Sequence, residues 1–361
     1  MMSRDRRRVM GHNLLRRSFM VIITAAVAVI LSLLLWYALD VFLLAFAGVL
    51  LSIFLRSLSD PLSKYTPLAA GWSLATVVIV LVASLGVAIW FFAPKLASQI
   101  DQLAESLPRS AEALRRGMEQ YEWGRQILAR LPEADELMPG KSNVLAKATG
   151  IFSSTLGVIV NLLIILFLGL YMAAEPNLYK RGLIRLVPVS NRERALKVLN
   201  TIHESLRWWL IGRISVMTMN GVLTMAGLWM IGAPMPVTLG LLTALLNFVP
   251  NLGPVLAAIP AILLALTQSP KLALYVLMLY VAIQSLEGFV LTPVVQKRTV
   301  ELPPALLIIA QVLAGVLSGS LGILLATPLA VVVMILVKML YVEDVLGDSF
   351  EVSGSHVSGG S

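Results

Sequence analysis

Asn247, Pro250, Asn251, Gly253 and Pro254 fall within eight consecutive positions of one apolar run, LGLLTALLNFVPNLGPVLAAIPAILLAL, residues 239–266. The run is apolar enough for lipid, yet its centre cannot stay a regular helix. An unwound backbone leaves N–H and C=O groups without helical partners, which is costly in hydrocarbon unless they are buried in protein or line a cavity. Asn247 and Asn251 can bond such groups or a polar solute. Gly253 permits dihedrals closed to other residues, and Pro254 opens the next half-helix where its missing N–H costs little. That half-helix aims its positive end at the break, and the preceding one aims carbonyls there. The outcome is a small polar binding site or, with the same residues, a packed proline kink satisfied by its asparagines.

Glu287 is the second candidate. It lies mid-run in YVAIQSLEGFVLTP, with Gln284 three residues before it, and residues 214–341 hold one other acid, Glu301, in a polar loop. A carboxylate inside a span is functional by default. It can take up a proton or sodium, or form a structural hydrogen bond to a break. Gln311 and Asn220 are neutral polar residues of the kind that join membrane helices. The candidate solute-binding set is therefore Asn247, Pro250, Asn251, Gly253, Pro254, Gln284 and Gln311, with Glu287 as the ion-coupling residue. His12, His203 and His356 are scattered without metal-ligand spacing, and no phosphate loop or nucleophile constellation is present. Neither enzyme chemistry nor a cofactor is expected.

The elements that must hold these residues follow from composition. Of 361 residues, 58% are hydrophobic and 13% charged, against about 25% charged in soluble domains, and mean hydropathy is +0.86. The chain reads as an all-α polytopic membrane protein. The net charge of +8 sits beside apolar runs, where it reports orientation rather than nucleic-acid binding. There is no cysteine, so a disulfide framework is excluded.

Residues 19–55 are too long for one span of a core about 30 Å thick and predict two short spans turning near 36–40. With a third span at 73–93 they form a first unit, 1–93, headed by a basic cytoplasmic segment. Residues 94–150 predict amphipathic helices outside the membrane, with apolar residues at 4-3-4 spacing. The unit 151–213 combines a fourth span with a cytoplasmic stretch in which residues 175–213 carry eight basic and three acidic residues. There Ser190 and Glu193 suggest a capping box. Behind them Leu199, Ile202, Leu206 and Trp209 form one stripe of a helix lying along the membrane surface, with Trp208 and Trp209 at headgroup level. Residues 214–345 form the core and 346–361 a disordered Gly/Ser-rich tail.

Within that core an internal repeat emerges. NLGPVLAAIPA lies 69 residues before SLGILLATPLA (322 − 253 = 69 for the glycines), and the second tract breaks at GVLSGSLG, residues 315–322. Two re-entrant hairpins would keep Lys297 and Arg298 cytoplasmic, as the positive-inside bias asks; kinked full spans would put them outside. Gly315-x-x-x-Gly319 has the spacing of a close-packing motif. Inverted span-plus-hairpin units with broken helices are the architecture of secondary transporters, whose sites lie at the breaks.

The motifs FVPNLGPVLAAIPAILLAL, IQSLEGFVLTPVVQ, ALLIIAQVLAGVLSGSLGILLATPLAVV and LYVEDVLG, in this order, resemble the autoinducer-2 exporter (AI-2E) family of bacterial inner-membrane permease-like proteins. The basic flanks and the hairpin topology put both termini in the cytoplasm; the resemblance implies about eight membrane segments, a homo-oligomer, and export of small polar molecules such as autoinducer-2. It also implies sodium or lithium/proton antiport as an alternative, because that is known of some relatives. Two departures stand out. Gly212-Arg213 replaces the Gly-Gln common in the family, and Leu302-Pro303-Pro304 replaces Leu-His-Pro, both near the expected hairpin bases. A membrane scaffold without transport is the reading from a different class. The expected partners are the bilayer, a small polar solute, and H+ or Na+.

Overall fold

The computed structural model describes residues 38–87, 89–90, 116, 119, 122, 144–291 and 303–347. The first expected span, most of the amphipathic stretch 94–150, the loop holding Lys297, Arg298 and Glu301, and the tail fall outside these residues. Every described element is helical. Among the described residues five helices are long and apolar enough to cross a bilayer, and much of their surface is exposed Val, Leu, Ile and Phe. This is the exterior of a polytopic membrane protein.

In chain order the helices are α1 Ala38–Tyr65, α2 Ala70–Val87, α3 Val144–Ala174, α4 Pro176–Arg185 and α5 Arg192–Met230. They are followed by α6 Pro236–Leu246, α7 Leu252–Gln268, α8 Pro270–Leu286 and α9 Pro304–Leu336. Turns of wider, π-type winding extend α8 over Glu287–Leu291 and α9 over Val337–Glu343.

α1 runs ten residues beyond the expected end at Leu55. Arg56 explains this: its Nε donates to the Ala173 carbonyl at 2.6 Å and its Nη2 to Ala174 at 3.1 Å. These are the last, helically unpaired carbonyls of α3, so Arg56 caps that helix. Gly48 and Gly169 let α1 and α3 approach until Leu168 and Leu51 fill the space a Cβ would need.

α5 departs most from expectation. The surface helix and the following span are one helix of 39 residues, about 58 Å long, with no proline or cap near residue 213 to part them. Its N-cap is Asn191 without a side-chain bond. Ser190 lies in a single 3-10 turn, Val189–Asn191, so the capping box does not form. Leu206 and Trp209 are buried against α1 and the end of α9 in a cluster that includes Leu43, Ala47, Leu325 and Ile335. Trp209 meets the Phe248 ring edge-on at 5.9 Å. It is a core residue, because α5 is covered by neighbours over this stretch instead of lying on the membrane surface.

The two breaks are sharp reversals. A Cβ placed on Gly253 would stand 2.0 Å from the carbonyl oxygen of Leu246, and one on Gly322 would stand 2.0 Å from that of Ala314. Along a straight helix those pairs would be separated by rises of about 10.5 and 12 Å. α9 turns at Ser318 and Gly319, the latter at φ 59° and ψ −138°. Its two arms then flank an apolar cavity of about 390 Å³ lined by Leu306, Leu313, Leu329 and Val337, with Leu39 from α1. The Gly315–Gly319 pair therefore divides its work. Gly315 makes room for Ile323 across the reversal, and Gly319 supplies the turn. α5 is central to all of this, packed on α4, α6, α8 and α9.

Candidate functional site

The α6–α7 reversal, residues 247–251, gathers polar groups from three directions. From α5, the Arg213 Nε donates to the Phe248 carbonyl at 3.1 Å. From the outgoing arm of α9, Gln311 Nε2 donates to the Pro250 carbonyl at 3.0 Å. From the end of α8, Glu287 faces Arg213, Oε1 to Nη1 at 3.7 Å, and accepts from Asn220 Nδ2 at 2.5 Å. Arg213, Asn220, Asn247, Glu287 and Gln311 are all buried. Asn247 ends α6, is wholly buried, and has no partner among the described residues for either end of its amide.

Local sequence explains each placement. Arg213, Val216, Asn220 and Thr224 recur at 3-4-4 spacing on the buried face of α5, one helical stripe. On α8 the buried stripe is Ala273, Val276, Tyr280 and Ile283, and Glu287 extends it by four. Gly221 and Gly240 bring α5 and α6 into backbone contact, and the Tyr280 hydroxyl of α8 lies 2.9 Å from Thr243 Oγ1 of α6. Asn251, at φ 65°, supplies the positive dihedral that a glycine would ordinarily take. Gly253 serves instead by closeness to Leu246.

Of the expected residues, Asn247, Pro250, Gln311 and Glu287 join this cluster, and Gly253 and Pro254 shape the turn beside it. Asn251 is exposed. So is Gln284, which lies next to Ile283 just off the buried stripe. Arg213 was expected at a hairpin base and counted with the cytoplasmic charges; it reaches the tip of the reversal instead. Glu287 is accordingly not a lone carboxylate. The signal was available: a carboxylate in an apolar run needs a cation, and Arg213 heads an apolar helix with the buried spacing.

The family described as AI-2E family transporter matches residues 20–341. The chain belongs to the AI-2E transporter family. Among its relatives, the transport protein YrrI of Bacillus subtilis is 27% identical over 81% of this chain and 85% of its own length. The AI-2 transport protein TqsA of Escherichia coli is 24% identical over 79% and 83%. YueF of Bacillus subtilis is 25% identical over 66% and 68%. The chain is thus a multi-pass AI-2E membrane transporter, and the resemblance drawn from its motifs holds over most of its length. The polar cluster belongs to the part of the chain where those motifs are densest.

Proposed function

We propose that this AI-2E protein exports a small polar solute across the bacterial inner membrane, coupled to an ion, and that the cluster at the α6–α7 reversal is its transport site. One observation carries the reading: a buried Arg213–Glu287 pair meets a wholly buried Asn247 whose amide has no partner among the described residues. Buried polar groups are normally hydrogen-bonded, and a titratable pair inside a membrane marks an ion or solute pathway. The equal close approach at Gly253 and Gly322, 69 residues apart, supports two re-entrant hairpins in inverted span-plus-hairpin units, α5 with α6–α7 and α8 with α9. With these the chain would have about eight membrane segments. Autoinducer-2, the solute in the name of the relative TqsA, is the first to assay.

The test is flux through proteoliposomes holding the full chain, with a fluorescent pH reporter inside. Solute efflux that responds to a proton or sodium gradient, and loses that response in Glu287→Gln, is the expected result. Proton movement driven by sodium or lithium without any solute would favour antiport. Absence of all flux would favour a scaffold and overturn the proposal.

A further inference from the structure

The short helix α4 presents an apolar face that no described element covers. None of its residues is buried. Leu178 is 61% exposed, Leu183 54%, and Leu186, just past the last turn, 83%. Helical positions four apart lie one above another, so Leu178, Gly182 and Leu186 form one line and Tyr179 and Leu183 the next. On the other side of Leu178, Arg181 and Arg185 form a third line; both are exposed and without an ion pair among the described residues. The remaining line, Lys180 and Ile184, is half-buried, and Lys180 Nζ donates to Asn200 Oδ1 of α5 at 3.4 Å.

A helix of ten residues is marginal in water by itself, and large apolar side chains grouped on a surface mark an interaction site. Position in the chain says what covers them. α3 is apolar enough to cross the bilayer, ends at Ala174, and exposes Phe167 and Tyr171 in its last two turns. One residue, Glu175 at φ −128° and ψ 63°, interrupts the helix before Pro176 opens α4. α4 therefore begins where a span leaves the hydrocarbon, and its apolar face continues the lipid-facing exterior.

Charge says which lipid. From Pro176 to Asn191 the chain has no acid, and its bases are Lys180, Arg181 and Arg185. A helix with an apolar face edged by arginines lies in the plane of the headgroups, its apolar side at the acyl boundary. A guanidinium matches phosphate oxygens two at a time.

We infer that α4 is an interfacial helix that binds anionic phospholipid. Leu178, Tyr179, Leu183 and Leu186 enter the acyl boundary of the leaflet in which α3 ends, and Arg181 and Arg185 hold the lipid phosphates. The membrane-surface role that the sequence suggests for residues 199–209 falls to α4, whose face is open where Leu206 and Trp209 are enclosed by neighbours. None of this depends on the polar cluster at the α6–α7 reversal.

The chain has no cysteine, so the test uses the full chain with one, Leu183→Cys, carrying an environment-sensitive fluorophore. The protein sits in vesicles of phosphatidylcholine mixed with phosphatidylglycerol. Brominated phosphatidylcholine should quench this label and aqueous iodide should not; the same label at Glu193, exposed at the start of α5, should show the reverse. Quenching at position 183 by iodide would put the face in water. Protection from both quenchers would mean that a second copy or another stretch of this chain covers it. Either result overturns the inference. Lipid choice is read from thermal unfolding in detergent with added phosphatidylglycerol or phosphatidylcholine. Phosphatidylglycerol should stabilise at the lower concentration. The double variant Arg181→Gln/Arg185→Gln, which alters exposed side chains only, should raise the concentration needed by about fivefold for each arginine. Lys271→Gln at the start of α8 should leave it unchanged, and inorganic phosphate should not replace the lipid. An equal response to both lipids, equal stabilisation by free phosphate, or a double variant indistinguishable from the wild type also overturns the inference.

Discussion

Arg213 and Glu287 are worth more as a pair than either residue is alone. Removing Glu287 leaves the Arg213 charge buried without this carboxylate, and breaking a buried pair costs about 3–5 kcal/mol. Arg213→Ala and Glu287→Ala should each lower the thermal unfolding temperature in detergent strongly, and the double variant should cost much less than their sum. Additive losses would show that the two charges do not sense each other across 3.7 Å. Gln311→Leu should be milder, because it strands only the Pro250 carbonyl, at about 1–3 kcal/mol. Asn251 asks a different question, since its exposed side chain sits on a positive-φ backbone. Asn251→Gly should keep stability; a loss of solute affinity in that variant would assign the side chain to recognition, and unchanged transport would leave it a turn residue.

At the level of elements, the two reversals rest on glycines of different kinds. Gly319 adopts φ 59° with open space around its Cα, so Gly319→Ala meets only dihedral strain, about 1–3 kcal/mol. Gly253 and Gly322 would each push a Cβ to 2.0 Å from a backbone carbonyl of the outgoing arm. Backbone cannot swing aside as a side chain can. Gly253→Ala and Gly322→Ala should therefore exceed the roughly 1–3 kcal/mol usual for overpacking, separating the arms or preventing assembly. Gel filtration and thermal unfolding of the three variants check the order. A mild Gly322→Ala beside a severe Gly319→Ala would contradict the described approach of the arms.

Across the whole molecule, α5 is tied to the far end of α9 outside the polar cluster. Arg194 Nη2 meets Glu343 Oε2 at 2.7 Å and Asp344 Oδ1 at 2.9 Å, and donates to the Met339 carbonyl at 2.6 Å. Hydrogen bonds to these two carboxylates hold the guanidinium pKa above its usual value. The groups are partly exposed, so Arg194→Ala should cost only about 1 kcal/mol, and less at high salt. A loss unchanged between 0.05 and 0.5 M salt, concentrations of about one and ten times the lower value, would show the contact to be packing instead of charge. Topology is tested on the same scale. The chain has no cysteine, so one introduced at Gln296 or Thr299 should be labelled only from the cytoplasm, and one at Lys271 only from outside. Lys271 suits the purpose better than Ser269, whose hydroxyl caps α8 through Leu272 N–H. Labelling with the opposite sidedness would replace the proposed re-entrant hairpins with full spans.

What the sequence determined by itself is what composition and local chemistry control. Long apolar runs with flanking basic residues require membrane helices, and clustered Pro, Gly and Asn at 247–254 require a break wherever the rest of the chain goes. The Leu-Gly pairs spaced by 69 residues mark two breaks at which a glycine meets a backbone carbonyl equally closely. The tertiary structure decided which polar residues meet. Arg213 looks cytoplasmic because the bias in residues 175–213 is an average over a segment, whereas burial is set by a stripe of α5 that runs without interruption into the membrane. Asn220 and Glu287 are 67 residues apart, and their bond needs α5 packed on α8, where Leu279 fills the space a Cβ on Gly227 would take. Asn247 and Asn251 look equivalent in sequence, but the first closes a helix inside the packed seam and the second turns outward on a positive φ. Spacing along one helix fixes a face; only the packing of several helices fixes what that face meets.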